Sequence, residues 1–165
     1  ACQAVRDCPV PVIAKIDGPC LGGALELAAS CDMRVASERS TFAMPEVQIG
    51  IPSVIEAALL PRLMGWGRAS AFLFTGTVMS ADCALCAGLV ERVASSARLD
   101  DAVTEWVDAI CSAGPLAIRA QKALMRHWEG SFVDAAIEAG VDAFREAHRT
   151  DEPATKLHEV MAKRS

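Results

Sequence analysis

The chain contains 165 residues, of which 52% are hydrophobic and 22% are charged. This length and composition suit a globular domain with a hydrophobic core and exclude an intrinsically disordered chain. The formal net charge is -5, and no Lys/Arg-rich run is present, which argues against a nucleic-acid or membrane-surface partner.

The seven cysteines are odd in number, and most of them lie among Ala, Leu and Val. Cys83 and Cys86 form one C-x-x-C motif, but a zinc or redox site would need a second ligand pair or a thioredoxin-like setting. We therefore expect buried free thiols, no metal, and a reducing, cytoplasmic compartment. The sequence shows no signal peptide and no apolar run long enough to span a bilayer.

The first half of the chain is predicted to alternate strands and helices after a short helical segment at residues 2–7. Apolar runs rich in β-branched residues predict strands, and apolar stretches bounded by glycine, proline or a capping serine predict helices. The predicted strands are residues 10–16, 32–36, 41–43 and 89–93, and the predicted helices are residues 24–29, 54–64, 68–74 and 81–87.

From Leu99 onward the chain is predicted to be entirely helical, with a capping pattern that starts at Ser131. The predicted helices are residues 100–111, 116–128, 131–149 and 152–163. We therefore predict a partial α/β core with the active-site segments over residues 1–98 and a helical C-terminal region over residues 99–165.

Two glycines, Gly22 and Gly23, lead directly into the predicted helix that contains Glu26. The first N–H groups of a helix have no intrahelical partner and lie at the positive end of its dipole. Glycine lets a ligand oxygen approach such groups closely, so the pattern suits an oxyanion. A phosphate site is disfavoured because no Gly-Lys-Ser/Thr follows. Alternatively, the glycines only allow close packing of a helix on a strand.

Glu26 and Glu46 are carboxylates in apolar segments that contain glycine. Burial would raise the pKa of Glu26 toward the range useful for proton transfer, and two such groups could form an acid/base pair. Each glutamate also fits the first turn of a helix, where a negative charge is stabilising. The spacing alone leaves both interpretations open.

Glu56 is a lone charge within the apolar run at residues 54–64. It could face the site, but we expect it to form an ion pair with Arg62 or Arg68. The three histidines fall in the helical half and are predicted to face solvent; they are His127, His148 and His158.

Several ordered segments of the chain resemble the signature of the crotonase (enoyl-CoA hydratase/isomerase) superfamily; they are residues 12–36, 41–50, 60–65 and 73–90. The resemblance covers nearly the whole chain, and the order and spacing of these motifs are highly specific. It implies an α/β fold, namely the C-terminal part of a crotonase-like ββα spiral followed by an α-helical trimerisation region.

The resemblance implies an enoyl-CoA hydratase, which adds water across the 2,3-double bond of an enoyl-CoA thioester. Gly23 would donate its backbone N–H to the thioester oxygen. Glu26 and Glu46 match both glutamate positions of the family, where they would orient and activate water and deliver a proton to Cα. The substrate site would include Leu21, Gly22, Gly23, Pro45 and Ser53. Coenzyme A would be part of the substrate, with no further cofactor and no metal.

The chain departs from the family's pattern in two respects. Residues 51–58 stand where the family has a glycine-rich loop and are one residue shorter, which bears on substrate choice and could bring Glu56 into the site. The family's N-terminal segment, which supplies the second oxyanion donor and much of the adenine site, has no counterpart here, and the chain opens with Ala1. We therefore expect residues to precede this chain and expect the chain alone not to turn over at a normal rate.

The resemblance further implies a homotrimer or a dimer of trimers assembled through the helical region. Apolar residues suited to such an interface are Trp106, Val107, Ile110, Ile118, Leu124, Phe132 and Phe144. Packing within the chain would be an alternative role for most of them.

Two alternatives to hydration stay open. The first is a Δ3,Δ2-enoyl-CoA isomerase or another reaction of the family, because an isomerase needs only the position of Glu46. The second is a non-catalytic assembly or CoA-binding module that keeps the fold alone. The presence of Gly22, Gly23 and both glutamates argues against the second, because a structural module would not need them.

Overall fold

The computed structural model describes residues 1–162, which form two compact units. The first unit contains residues 1–8 and 12–105, and the second contains residues 9–11 together with the chain from Trp106 onward. The functional candidates Glu26 and Glu46 both belong to the first unit.

The first unit contains two small sheets of three strands each. In one sheet the parallel strands β1 (Ile13–Ile16), β3 (Met33–Ser37) and β6 (Arg92–Ala94) lie in the order β1-β3-β6. In the other, β4 (Thr41–Ala43) lies between the parallel strand β2 (Pro19–Leu21) and the antiparallel strand β5 (Met79–Ser80). Cys20 is the register partner of Phe42.

Short helices connect these strands and pack on them. The α-helices are α1 (Cys2–Arg6), α2 (Gly23–Ser30), α3 (Leu60–Met64), α4 (Trp66–Thr75), α5 (Ala81–Ala87) and the start of α6 (Leu99–Ser112), and the 3-10 helices are Pro45–Ile49, Ile55–Leu59 and Ser96–Arg98. Helix α5 begins as predicted, because the Ser80 hydroxyl accepts a hydrogen bond from the Cys83 N–H, and it ends at Gly88 in the left-handed conformation.

The core of the first unit lies around α2, β4 and α3. Its fully buried side chains include Leu25, Phe42, Met44, Leu60 and Leu89. Burial of each such side chain contributes roughly 1.5–3 kcal/mol, so this cluster holds α2 in place beside the 3-10 helices that follow β4.

The predicted buried helix over residues 54–64 is wrong in its first half. Residues 55–59 form a 3-10 helix, and Ile55 has a φ of 50° and an exposed fraction of 71%. A β-branched residue in this left-handed region costs on the order of 1–3 kcal/mol. The apolar composition predicted burial, but the strained backbone turns Val54 and Ile55 outward.

Other expectations needed smaller corrections. Leu89 and Val90 were predicted to begin a strand, but they are buried residues that precede β6. Their apolar character reflects packing in the core rather than strand pairing. Strand β2 was not predicted. Of the cysteines, Cys20 alone is buried in the described part of the chain, so the expected buried thiols are wrong for the others.

The second unit is helical and contains the part of α6 from Trp106 onward, α7 (Pro115–Trp128), α8 (Val133–Ala147) and α9 (Glu152–Ala162). The Glu152 carboxylate accepts hydrogen bonds from the backbone N–H groups of Leu116 and Ala117, at 3.0 and 2.8 Å, and so caps α7. The predicted cap at Ser131 is wrong, because α8 begins after Phe132 without a side-chain cap. The predicted end of the last helix at Lys163 lies outside the described residues.

Arg34 of β3 is the most heavily bonded buried side chain of the first unit. It is 2% exposed and donates to the carbonyl oxygens of Leu89 (2.8 Å) and Cys31 (2.9 Å), while its guanidinium forms an ion pair with Glu91. The same Glu91 carboxylate accepts the Arg34 backbone N–H. These bonds tie the end of α2 to the segment before β6.

We predict that Arg34→Met lowers the free energy of unfolding by about 3–5 kcal/mol, because it leaves the buried carbonyls of Leu89 and Cys31 without their side-chain donor and Glu91 without its ion-pair partner. Urea denaturation measures the change. The control is Arg39→Met, which removes the exposed ion pair with Asp17 and should cost much less. Equal losses in the two variants would contradict this role for Arg34.

Candidate active site

The start of α2 presents backbone N–H groups beside a tight turn. Gly22 is the N-terminal cap of α2 with a φ of 53°, and its N–H donates to the Ala43 carbonyl at 2.9 Å. Gly23 is the first helical residue, where the N–H has no partner within the helix. Gly23 is exposed, and a Cβ atom there would meet no protein atom within 4 Å.

Glu46 lies directly against Gly22. A Cβ atom at Gly22 would be 2.6 Å from Glu46 Oε1, which is closer than real Cβ contacts allow. The positive φ favours glycine at this position, and a side chain there would force the Glu46 carboxylate to move. Glu46 is half-buried in the 3-10 helix that begins at Pro45 and ends at Gly50, whose φ is 81°.

Ser53 forms a hydrogen bond with the second oxygen of the Glu46 carboxylate. Its hydroxyl donates to Glu46 Oε2 at 3.0 Å. Ser53 was predicted to contact the substrate, and the structure places it beside Glu46. One Glu46 oxygen is thus engaged by a serine, while the other faces the start of α2.

Glu26 is a buried carboxyl, with an exposed fraction of 7%. Loss of solvent raises its pKa above the ordinary value, and the nearby charges of Glu46 and Glu56 raise the pKa further. The nearby backbone N–H of Ala57, which donates to the Val54 carbonyl at 3.0 Å, lowers the pKa of Glu26 and so acts in the opposite direction. The first turn of α2 therefore carries a carboxyl that retains its proton to higher pH than an exposed glutamate does.

Glu56 does not form the ion pair expected with Arg62 or Arg68. Its Oε2 atom is buried and has no hydrogen-bond partner among the described residues. The prediction of pairing rested on spacing within a regular helix, whereas residues 55–59 form a 3-10 helix with a different angular repeat.

An apolar groove of about 410 Å³ runs beside this segment, between the chain that contains Ser53 and helix α4. Its walls include the exposed side chains of Val54, Ile55, Trp66 and Phe74.

The structure thus brings together Gly22, Glu26, Glu46 and Ser53 from segments spread over some thirty positions. Leu21, which was predicted to belong to the substrate site, ends β2 with an exposed fraction of 42%. The backbone donor Ala57 was not predicted, and no residue-type signal could have revealed it, because every non-proline residue carries the same N–H.

The described residues contain neither a cluster that could bind a metal ion nor a helix that could cross a membrane. No group of three or more His, Cys, Asp or Glu side chains within residues 1–162 has an arrangement that could hold a metal ion. None of the helices described there is both long and apolar enough to cross a membrane.

The chain is similar to a family of known proteins. A family model described as enoyl-CoA hydratase/isomerase matches residues 1–164. The chain is 35% identical over 155 residues to a short-chain-enoyl-CoA hydratase of Clostridium acetobutylicum, covering 93% of this chain and 59% of that protein. It is 40% identical over 135 residues to a crotonyl-CoA hydratase of Syntrophomonas wolfei, covering 81% and 52%.

The crystal structure of an enoyl-CoA hydratase from Bacillus anthracis superposes with a TM-score of 0.94 and 31% sequence identity, over 98% of this chain and 63% of that one. The predicted α/β crotonase-type fold with a helical C-terminal region is confirmed. The chain spans between half and three fifths of the length of the two curated relatives. The match of the family model along the chain shows that it belongs to the enoyl-CoA hydratase/isomerase family.

Proposed function

We propose that the protein carrying this chain hydrates enoyl-CoA thioesters. The observation that carries the proposal is the placement of Glu26 and Glu46 beside the open N-terminus of α2, with Glu46 Oε1 against Gly22. The relatives named as enoyl-CoA and crotonyl-CoA hydratases support the same reaction. Coenzyme A would enter as part of the substrate.

In this proposal the water oxygen bonds to C3 as the C2–C3 double bond opens. The electron pair of that double bond moves toward the thioester carbonyl. One carboxylate accepts a proton from the water, and the other carboxyl delivers a proton to C2, so that one water molecule is added in total. The raised pKa of Glu26 suits a group that takes part in proton exchange.

The Gly23 N–H would donate to the thioester oxygen as negative charge develops there. Removal of such a donor typically costs about 3 kcal/mol of barrier. Ser53 would keep the Glu46 carboxylate in one orientation through the bond to Oε2. Leu21 and Pro45, which adjoin Gly22 and Glu46 in the chain, would border the acyl group.

A Δ3,Δ2-enoyl-CoA isomerase is the second candidate. The Ser53–Glu46 hydrogen bond favours it, because that reaction needs one oriented carboxylate to move a proton between two carbons. The family model itself covers both hydratases and isomerases. The two candidates differ in whether Glu26 is required.

We predict that Glu26→Gln and Glu46→Gln each lower kcat/KM for crotonyl-CoA hydration by about 100- to 10,000-fold, because each removes a group that transfers a proton or orders the water. The measurement is the loss of ultraviolet absorbance of the conjugated thioester, made on the protein that carries these residues. Both variants should remain folded, since glutamine preserves the shape of each side chain.

The matched control is Glu38→Gln, which removes the same charge from an exposed turn and should leave kcat/KM unchanged. Full hydratase activity in Glu26→Gln would contradict the proposed role of Glu26. Isomerase activity without hydration in the unmodified protein would favour the isomerase, and absence of both activities there would favour a module that keeps the fold without the chemistry.

We also propose that the protein assembles as a homotrimer, or a dimer of trimers, through the second unit. Helix α8 carries an exposed apolar stripe at Val133, Ile137, Val141 and Phe144, with exposed fractions between 44% and 74%. These residues recur at helical spacing and so share one face. Contiguous exposed apolar surface of this kind is typical of a protein interface.

We predict that Ile137→Glu reduces the assembly to smaller species, because a charge would be buried in the interface without a partner. Light scattering coupled to size-exclusion chromatography measures the mass. The control is Ala135→Glu, which places the same charge on the opposite side of α8 and should leave the mass at three or six chains. A single-chain mass for the unmodified protein would contradict the proposal.

A further inference from the structure

The 3-10 helix that carries Glu46 contributes no buried side chain to the core. None of its residues, Pro45–Ile49, is buried, and the side chains of Val47 and Ile49 are exposed. The preceding residue, Met44, is fully buried and belongs to the core cluster. Burial of Met44 therefore anchors the beginning of this helix, whereas the position of its far end depends on other contacts.

Gln48 supplies a polar contact at the far end of the helix. Its side-chain Nε2 donates to the carbonyl oxygens of Gly76 at 3.1 Å and Thr75 at 3.3 Å. Thr75 is the last residue of α4 and Gly76 is its cap, a place where backbone carbonyls have no acceptor role left within the helix. Gln48 therefore joins the helix that carries Glu46 to the C-terminus of α4.

The Gln48 side chain lies directly over a glycine. Gly76 has a φ of 60°, and a Cβ atom there would be 2.9 Å from Gln48 Nε2 and 3.2 Å from its Cγ. The same relation holds at Gly22, where a Cβ atom would be 2.6 Å from Glu46 Oε1. Each of these two polar side chains thus occupies space that is left by a glycine with a positive φ.

The two contacts lie on different sides of the helix Pro45–Ile49. A 3-10 helix has three residues per turn, so side chains two positions apart lie about a third of a turn from each other. Glu46 faces the start of α2, and Gln48 faces the end of α4. A rotation of this helix about its axis would move both side chains together, so the Gln48 hydrogen bonds oppose displacement of Glu46.

We propose that Gln48 is a positioning residue that keeps the Glu46 carboxylate beside Gly22 and Ser53. Gln48 does not touch the reacting atoms in this account, and it acts through the backbone of the helix Pro45–Ile49. The catalytic meaning of this inference rests on the proposed role of Glu46 in hydration. The effect on the helix itself does not require a substrate.

The first test is amide hydrogen exchange, followed by NMR, at Gly50 and Ile51. Both N–H groups donate to carbonyl oxygens of this 3-10 helix, at 3.2 and 3.1 Å, so their exchange reports how firmly it is held. In Gln48→Met, which has a similar length and no donor, we expect exchange to be about fivefold faster, the factor for one lost hydrogen bond. Gln121→Met, the same substitution at an exposed position of α7, should leave both rates unchanged.

The second test is the kinetics of crotonyl-CoA hydration. We expect Gln48→Met to lower kcat by about fivefold with little change in KM, because the carboxylate is less often aligned while substrate binding is retained. Gln48→Lys supplies a new donor to the carbonyls at the end of α4 and should recover most of kcat. A contribution to stability alone would lower the melting temperature without this separation of kcat from KM.

Unchanged exchange at Gly50 and Ile51 in folded Gln48→Met would overturn the proposal, and so would faster exchange with an unchanged kcat. If the unmodified protein does not hydrate crotonyl-CoA, the proposed function fails, and the exchange rates alone decide whether Gln48 holds the helix.

If Gln48→Met does not fold, Gln48→Glu is measured in its place with the same expected rise in exchange, because glutamate keeps the shape of the side chain and lacks the donor. Failure of both variants to fold would also overturn the proposal, because Gln48 would then be required for folding rather than for the position of Glu46.

Discussion

The contact between the Glu46 carboxylate and the backbone of Gly22 is the constraint on which the candidate site depends. Glu46 Oε1 occupies the space that any side chain at position 22 would fill. Gly22 also caps α2 with a φ of 53°, and this helix carries Glu26 and begins at Gly23. The absence of a side chain at one position thus lets the Glu46 carboxylate lie beside the start of the helix that carries Glu26.

Interactions elsewhere in the first unit offset the energetic cost of burying Glu26 beside other carboxylates. Glu26 is buried beside like charges, which disfavours its ionised form and lowers stability wherever that form is populated. The buried cluster around Leu25, Phe42 and Leu60 and the bonds of Arg34 stabilise the same helix. Ser53 supplies a hydrogen bond to Glu46 from a segment that is itself strained at Ile55. Such strain is common near functional sites.

Features with a local cause could be predicted from the sequence, and features with a tertiary cause could not. Helix α5 was predicted with its bounds, because Ser80 and Gly88 are a local start and stop. The prediction that Glu26 and Glu46 act as a pair followed from the family resemblance. Their spacing alone was equally consistent with two ordinary residues at the starts of helices. The roles of Ser53 and Ala57 depend on how residues 51–58 turn back toward α2 and Glu46. An apolar run contains no sign of the left-handed Ile55 or of the unpartnered Glu56 oxygen.

The central claim is that the absence of a side chain at position 22 seats Glu46 for catalysis. Its most direct test is kcat/KM for crotonyl-CoA hydration in Gly22→Ala, measured against Gly67→Ala, a glycine in α4 with open space around it. The account predicts a loss on the order of 100-fold in Gly22→Ala, carried by kcat, because a displacement of about 1 Å at a reacting group has effects of this size. Gly67→Ala should retain its activity. Equal and undiminished activity in both folded variants would contradict the claim.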